Sequence, residues 1–133
     1  MTLDVTSYSY QLIDAHAAIE LEVVDAAATD LWFDLVELSV DSIDIDGVAV
    51  AFEQGESEVH IDAPEGGWAT EQVYAIDVWY QGSPYQDPYW GGFYFVSDYI
   101  YNLGIGLTTI PPNFGKVRYP CFDNFVERAT YTY

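Results

Sequence analysis

The sequence predicts an all-β protein: an antiparallel β-sandwich or saddle-like sheet domain with little helix. Three observations carry that expectation. Apolar and polar residues alternate along several runs, the period-two pattern of strands with one face on a core and the other in water. Strand-like runs recur roughly every eight to twelve residues, with turn residues between them. No segment carries the three-to-four-residue apolar spacing of a long amphipathic helix.

Taken in chain order, Ala18-Ile19-Glu20-Leu21-Glu22-Val23 alternates and reads as a strand. The Ala-rich stretch from Asp25 to Leu31 is short and reads as a connection. Val40-Asp41-Ser42-Ile43-Asp44-Ile45-Asp46 alternates again, and Asp46-Gly47 joins it to Val48-Ala49-Val50-Ala51-Phe52. An Asp-Gly pair between two apolar runs is a hairpin signal. Glu58 to Asp62 is a further strand, ended by Pro64-Glu65-Gly66-Gly67. Val73 to Tyr80 is rich in β-branched and aromatic residues, which suit a pleated, half-buried surface. Gly82-Ser83-Pro84 and Asp87-Pro88 mark a loop. Phe93–Val96, Leu107–Ile110, Lys116–Tyr119 and Ala129–Tyr133 are the remaining strand candidates. No linker, repeat or low-complexity tract divides residues 1–133, so a single β-domain is expected. Tyr131-Thr132-Tyr133 suits a fragment cut within a strand as well as a strand that finishes at the terminus.

Charge excludes whole classes of partner. Among 133 residues, 22 are acidic and 3 basic, a net charge of −19. Lys116, Arg118 and Arg128 are the only cationic side chains, too few to neutralise a row of phosphates, so no nucleic acid is expected. The same deficit argues against anionic lipid. No apolar run approaches the roughly 18 residues that span a bilayer. Met1-Thr2-Leu3-Asp4 lacks the basic and apolar regions of a secretion signal, so a cytoplasmic location is favoured. Cys121 is the only cysteine, so no internal disulfide forms.

Motifs that would carry chemistry are sparse. His16 and His60, the only histidines, stand singly in strand-like runs, and a zinc site from this chain alone is not expected. Asp41-x-x-Asp44-x-Asp46-Gly47 partly matches a calcium loop. It lacks the EF-hand spacing and the closing Glu, and reads as a solvated strand face entering a turn. Cys121, between Pro120 and Phe122, reads as a small apolar residue. No Gly-x-Ser-x-Gly elbow and no phosphate loop is present. Paired carboxylates abound, but nothing fixes the separation a glycosidase needs. No catalytic or metal-binding residue is assigned, and the substrate-binding residues stay open.

The aromatics are more pointed. Tyr80, Tyr85, Tyr89, Trp90, Phe93, Tyr94, Phe95, Tyr99 and Tyr101 fall within 22 residues. Three readings stand: a Tyr-rich core and rim, a contact with a second domain, or a sugar-stacking platform using Trp79 and Trp90.

Gly91-Gly92-Phe93-Tyr94-Phe95, Tyr119-Pro120-Cys121-Phe122-Asp123 and Arg128-Ala129-Thr130-Tyr131 share an order and spacing with a known family. They resemble the N-terminal β-domain of the aminopeptidase N family of zinc metallopeptidases, the gluzincin aminopeptidases. Ala18–Val23 and Leu38–Gly47 are similar to that domain's early strand and hairpin. The resemblance implies a saddle-like β-domain that packs on a thermolysin-like catalytic domain and walls its substrate cleft. Zinc, its ligands and the general base would belong to that catalytic domain, whose His-Glu-x-x-His is absent here. This chain would then be no enzyme by itself. It would be an incomplete N-terminal domain of a larger metallopeptidase-like protein, with zinc bound elsewhere in the parent and the catalytic domain as its partner.

Gly91, Gly92, Pro120, Cys121, Asp123 and Arg128 match the family's positions, with structural roles implied. Asp123 would hold the Pro-Cys-x-Asp turn by accepting local backbone N–H bonds. Two departures stand out. Phe125 replaces a Pro common in the family, and Thr109-Ile110-Pro111 occupies the place of a Gln or Glu that touches the substrate's amino end. No substrate contact is therefore carried over. The alternatives are a free-standing binding module, for carbohydrate or protein, built on residues 79–101, and an isolated domain that self-associates into a homo-oligomer through exposed edges.

Overall fold

Alternation becomes strand through most of the chain. The computed structural model describes residues 1–24, 27–108, 110, 112–124 and 130. Its strands are β1 (Thr2–Ser7), β2 (Leu12–Glu22), β3 (Asp30–Asp34), β4 (Leu38–Ile45), β5 (Val48–Ala49), β6 (Phe52–Gln54), β7 (Glu58–Asp62), β8 (Val73–Gly82), β9 (Gly91–Val96) and β10 (Tyr99–Gly106). A single 3₁₀ turn covers Gly115–Val117 among the described residues. The strands form a five-stranded sheet in the order β1-β2-β8-β4-β5, a three-stranded sheet β3-β7-β6, and the β9–β10 hairpin. Every ladder is antiparallel, and the protein is all-β.

The two larger sheets share one core. Ile13, Ala15 and Ala17 of β2, Ile43 and Ile45 of β4, and Tyr74, Ile76, Val78 and Tyr80 of β8 point inward from the first sheet. Leu31, Phe33, Val59 and Ile61 meet them from β3 and β7. Each fully buried side chain of this size contributes about 1.5–3 kcal/mol. Tyr80 is buried with its hydroxyl satisfied, donating to the Arg118 carbonyl at 2.8 Å, and burial raises its pKa far above the ordinary phenol value.

The β4 alternation is interrupted. Leu38 and Val40 share one parity, whereas Ile43 and Ile45 have the other. The register shifts between Val40 and Ser42, which face Tyr80 and Trp79 in turn, so Asp41 is the extra residue of a bulge. Absorbing Asp41 as a bulge keeps both apolar pairs on the inner face. Asp46 (φ 51°) and Gly47 (φ 77°) then make the tight turn expected of Asp-Gly.

Four expectations are corrected. Val48–Phe52 is not one strand: β5 pairs with β4, and after Val50-Ala51 the chain enters the other sheet as β6. Lys116–Tyr119 is a 3₁₀ turn followed by a bend, because Arg118 N–H bonds back to the Gly115 carbonyl and only Val117 is buried. The strand read over Leu107–Ile110 does not form at its described residues Leu107, Thr108 and Ile110: β10 ends at Gly106, and Thr108 is drawn off to Asp87. Asp30 and Leu31, read as connection, begin β3. The strand read over Ala129–Tyr133 lies outside the described residues apart from Thr130, which is exposed and irregular.

Candidate functional site

The aromatic excess concentrates in the β9–β10 hairpin. Directly paired residues present their side chains on the same face. Tyr101 opposite Tyr94, Tyr99 opposite Val96 and Leu103 opposite Gly92 therefore make one face without a charge on it. The Tyr94 and Tyr101 rings stack 5.2 Å apart at 17°. Tyr99 is 73% exposed, and Tyr101 and Val96 are also exposed. The opposite face turns toward the sandwich. Phe93 is buried, Phe95 packs against the core, and the Tyr8 ring meets Phe95 edge-on at 5.5 Å. The Tyr8 hydroxyl donates to the Tyr99 carbonyl at 3.0 Å.

A glycine pair and one carboxylate seat this hairpin. Gly91 (φ 121°) and Gly92 (φ 88°) adopt backbone conformations that side chains rarely tolerate. A Cβ on Gly91 would collide with the Ile105 carbonyl, and one on Gly92 would lie 2.5 Å from the Tyr85 carbonyl oxygen. Asp87 is buried beneath them. Its Oδ1 accepts the N–H groups of Tyr89 (2.8 Å) and Trp90 (3.0 Å), and its Oδ2 accepts the Thr108 N–H (3.0 Å) and hydroxyl. Burial alone would raise its pKa. The hydrogen bonds from Thr108, Trp90 and Tyr89 outweigh burial and hold the carboxyl well below the usual carboxylate range. Asp87 thus joins the entry of β9 to the exit of β10. In the sequence Asp87-Pro88 reads only as a loop signal, since its partner Thr108 is 21 residues away.

The Pro120-Cys121-x-Asp123 segment is a second anchored feature. Pro120 is buried. The Cys121 and Asp34 backbones bond reciprocally, at 2.8 and 3.2 Å, which adds the segment to the β3 edge. The Asp123 N–H donates to Asp34 Oδ2 at 2.8 Å, and Asp123 Oδ1 accepts the Gly115 N–H at 3.1 Å. Lys116 Nζ lies 3.7 Å from Asp123 Oδ2, and Asn113 donates to the Asp123 carbonyl. Asp123 therefore closes a loop back to Gly115. Burial, with the Asp123 and Asp34 charges, pushes the Cys121 thiol far above the ordinary thiol range, despite Lys116 and Arg118 nearby. A protonated thiol of this kind is a poor nucleophile and a poor metal ligand. The structure brings Gly91 and Gly92 together at the hairpin base, and Pro120, Cys121 and Asp123 together at the β3 edge. Arg128 lies outside the described residues.

The remaining polar candidates are accounted for by neighbours. His16 stacks on Trp79 at 4.8 Å and meets Asp77 Oδ1 at 2.6 Å on the outer face of the five-stranded sheet. His60 lies on the outer face of the other sheet, 3.2 Å from Glu58 and 3.7 Å from Asp30. Asp41 accepts from Gln81, and Asp46 accepts the Ala75 N–H. Among the described residues no three or more His, Cys, Asp or Glu side chains are arranged to hold a metal ion, so a zinc site does not fit them. No described helix is long and apolar enough to cross a membrane. Trp79 belongs to β8 and Trp90 to the loop before β9, so the two occupy different elements.

The fold is similar to that of solved M1 zinc metallopeptidases. Against the M1 zinc metallopeptidase from Deinococcus radiodurans the TM-score is 0.70 at 16% identity, covering 85% of this chain and 25% of that one. Against yeast LTA4 hydrolase in complex with bestatin it is 0.61 at 15% identity, covering 91% of this chain and 19% of that one. The chain thus spans a quarter or less of the length of these solved structures. No family model and no curated protein matches it. At these identities the likeness is one of fold.

Proposed function

We propose that this chain is a non-catalytic β-domain of a zinc metallopeptidase-like protein, which packs on a catalytic domain and shapes its substrate cleft. The observation that carries the reading is the coverage. Most of this fold has a counterpart in the solved M1 zinc metallopeptidase and LTA4 hydrolase structures, yet it accounts for about a quarter or less of their length. The Tyr94–Tyr101 face of the hairpin is the surface we assign to the catalytic domain. It is apolar, aromatic and uncharged, the composition enriched at the centre of domain and subunit contacts.

In this reading the zinc and the attacking water belong to the partner domain, and this chain contributes surface and shape. Two experiments test it. The purified chain, supplied with zinc and aminoacyl p-nitroanilides, is expected to give no turnover, and turnover by this chain alone would overturn the reading. The reading frame beyond Tyr133 is expected to encode His-Glu-x-x-His with a downstream Glu, and a frame without that motif would count equally against it.

A further inference from the structure

Among the described residues, Arg118 is the one cationic side chain that this acidic chain leaves without a counter-charge. Lys116 lies 3.7 Å from Asp123, His16 lies 2.6 Å from Asp77, and His60 lies 3.2 Å from Glu58. No described carboxylate pairs with Arg118. The carboxylates of this corner are already engaged. Asp123 holds the Gly115 N–H and Lys116, and Asp34 holds the Asp123 N–H. The neighbours on which the Arg118 charge acts, the Tyr80 hydroxyl and the Cys121 thiol, are both neutral.

Arg118 is nonetheless held in place. Its guanidinium lies over the Tyr119 ring, with Cζ 4.8 Å from the centroid. Its backbone N–H donates to the Gly115 carbonyl, and its carbonyl accepts from Tyr80. Its Nε is buried without a hydrogen-bond partner, whereas its two terminal nitrogens are not enclosed. Orphaned buried donors are uncommon in folded chains, and a guanidinium stacked on a ring presents its open N–H groups as a fixed fork.

We infer that Arg118 receives a carboxylate, from an Asp or Glu side chain of the proposed catalytic domain, and so fixes how the two domains dock. The fork matches a carboxylate with two parallel N–H···O bonds. A net charge of −19 opposes an approaching anion in proportion to that anion's own charge, so a singly charged carboxylate is favoured over a phosphate. One open cation in a field of carboxylates admits an acid at one place and repels it elsewhere, which sets the orientation of docking. The source of the carboxylate rests on the proposed catalytic domain, whereas the preference for a carboxylate rests on Arg118 alone.

The test is nuclear magnetic resonance of the ¹⁵N-labelled chain at pH 7, following the Arg118 Nε–H signal. The sequence holds two arginines, so Arg118→Lys assigns that signal. Sodium acetate is titrated against sodium chloride at equal ionic strength. Acetate is expected to shift the Arg118 signal saturably, by about threefold or more over the Arg128 signal, and inorganic phosphate to bind no more tightly than acetate. Arg118→Gln keeps the backbone carbonyl that Tyr80 uses, and should abolish the acetate-dependent shifts of the Tyr119 and Cys121 amides. Arg118→Lys keeps the charge without the fork, and should weaken those shifts severalfold. A linear response shared by both arginines, tighter binding of phosphate, or undiminished shifts in Arg118→Gln would each overturn the carboxylate site and leave the domain reading untouched. Within the longer, metallopeptidase-like polypeptide that the proposal expects, the Arg118 signal should stand at its acetate-bound position before acetate is added. A signal that still titrates with acetate there would overturn the assignment to the catalytic domain.

Discussion

Asp87 shows how one buried carboxylate organises an element through its partners. Its pKa in the folded chain lies below the unfolded value near 4. The stabilisation it provides is therefore complete above that value and is lost as the pH falls through the folded one. The hairpin should loosen only on the acid side, and Asp87→Asn should weaken it at neutral pH while flattening the acid limb. Near-ultraviolet circular dichroism from pH 7 to 2 reads this, and superimposable acid limbs would contradict it. Gly91 gives a second residue-scale prediction. Gly91→Ala meets both a positive φ and the Ile105 carbonyl, so a loss on the order of 3 kcal/mol is expected in urea unfolding. A change within experimental error would show that the hairpin base can relax. Cys121, its thiol pKa raised by burial and neighbouring carboxylates, should react slowly with a disulfide reagent at pH 8 and fully once denatured. A native rate close to the denatured one would contradict that.

At the scale of elements, what was legible followed from how local the signal was. β2 from Ala18 onward, β7 and most of β8 stand in their sequences, because alternation and β-branched or aromatic content require only neighbouring residues, whereas Leu12–Ala17 of β2 is not read as strand. The Asp46-Gly47 turn stood there too. β10 was missed, since Asn102, Gly104 and Gly106 dilute its strand character and its pairing with β9 supplies what propensity does not. The division of Val48–Phe52 between two sheets depends on tertiary pairing that no local pattern encodes. Of the motif residues, the glycines' steric need and the Asp123 turn became clear only with Ile105, Tyr85 and Gly115 in place. The β4 bulge gives a sharp prediction. Deleting Asp41 leaves Leu38, Val40, Ile43 and Ile45 in one strict alternation, each still opposite its β8 partner, so both apolar pairs stay on the inner face of a regular strand. Cooperative thermal unfolding should be kept at a Tm close to that of the intact chain, and loss of cooperative unfolding would show that β4 needs the bulge itself.

For the whole molecule, the charge of −19 is distributed over outward faces more than gathered at a site. On the five-stranded sheet Asp4 lies opposite Asp14, and Asp44 opposite Asp77, with His16 the nearby counter-group for Asp77. Like charges directly opposite one another destabilise a sheet, and salt screens them over about 10 Å at 0.1 M. Stability should therefore rise with ionic strength, and a flat profile in salt would refute self-repulsion. The hairpin is the opposite case: its outer face is uncharged and aromatic, which is why it is assigned to a partner. Hydrogen–deuterium exchange tests that assignment most directly, with the chain measured alone and within the longer, metallopeptidase-like polypeptide that the proposal expects. The account predicts slowed exchange at Tyr99–Gly106 in the longer polypeptide. Unchanged exchange in β10, with protection appearing on the outer faces of the larger sheets, would contradict it.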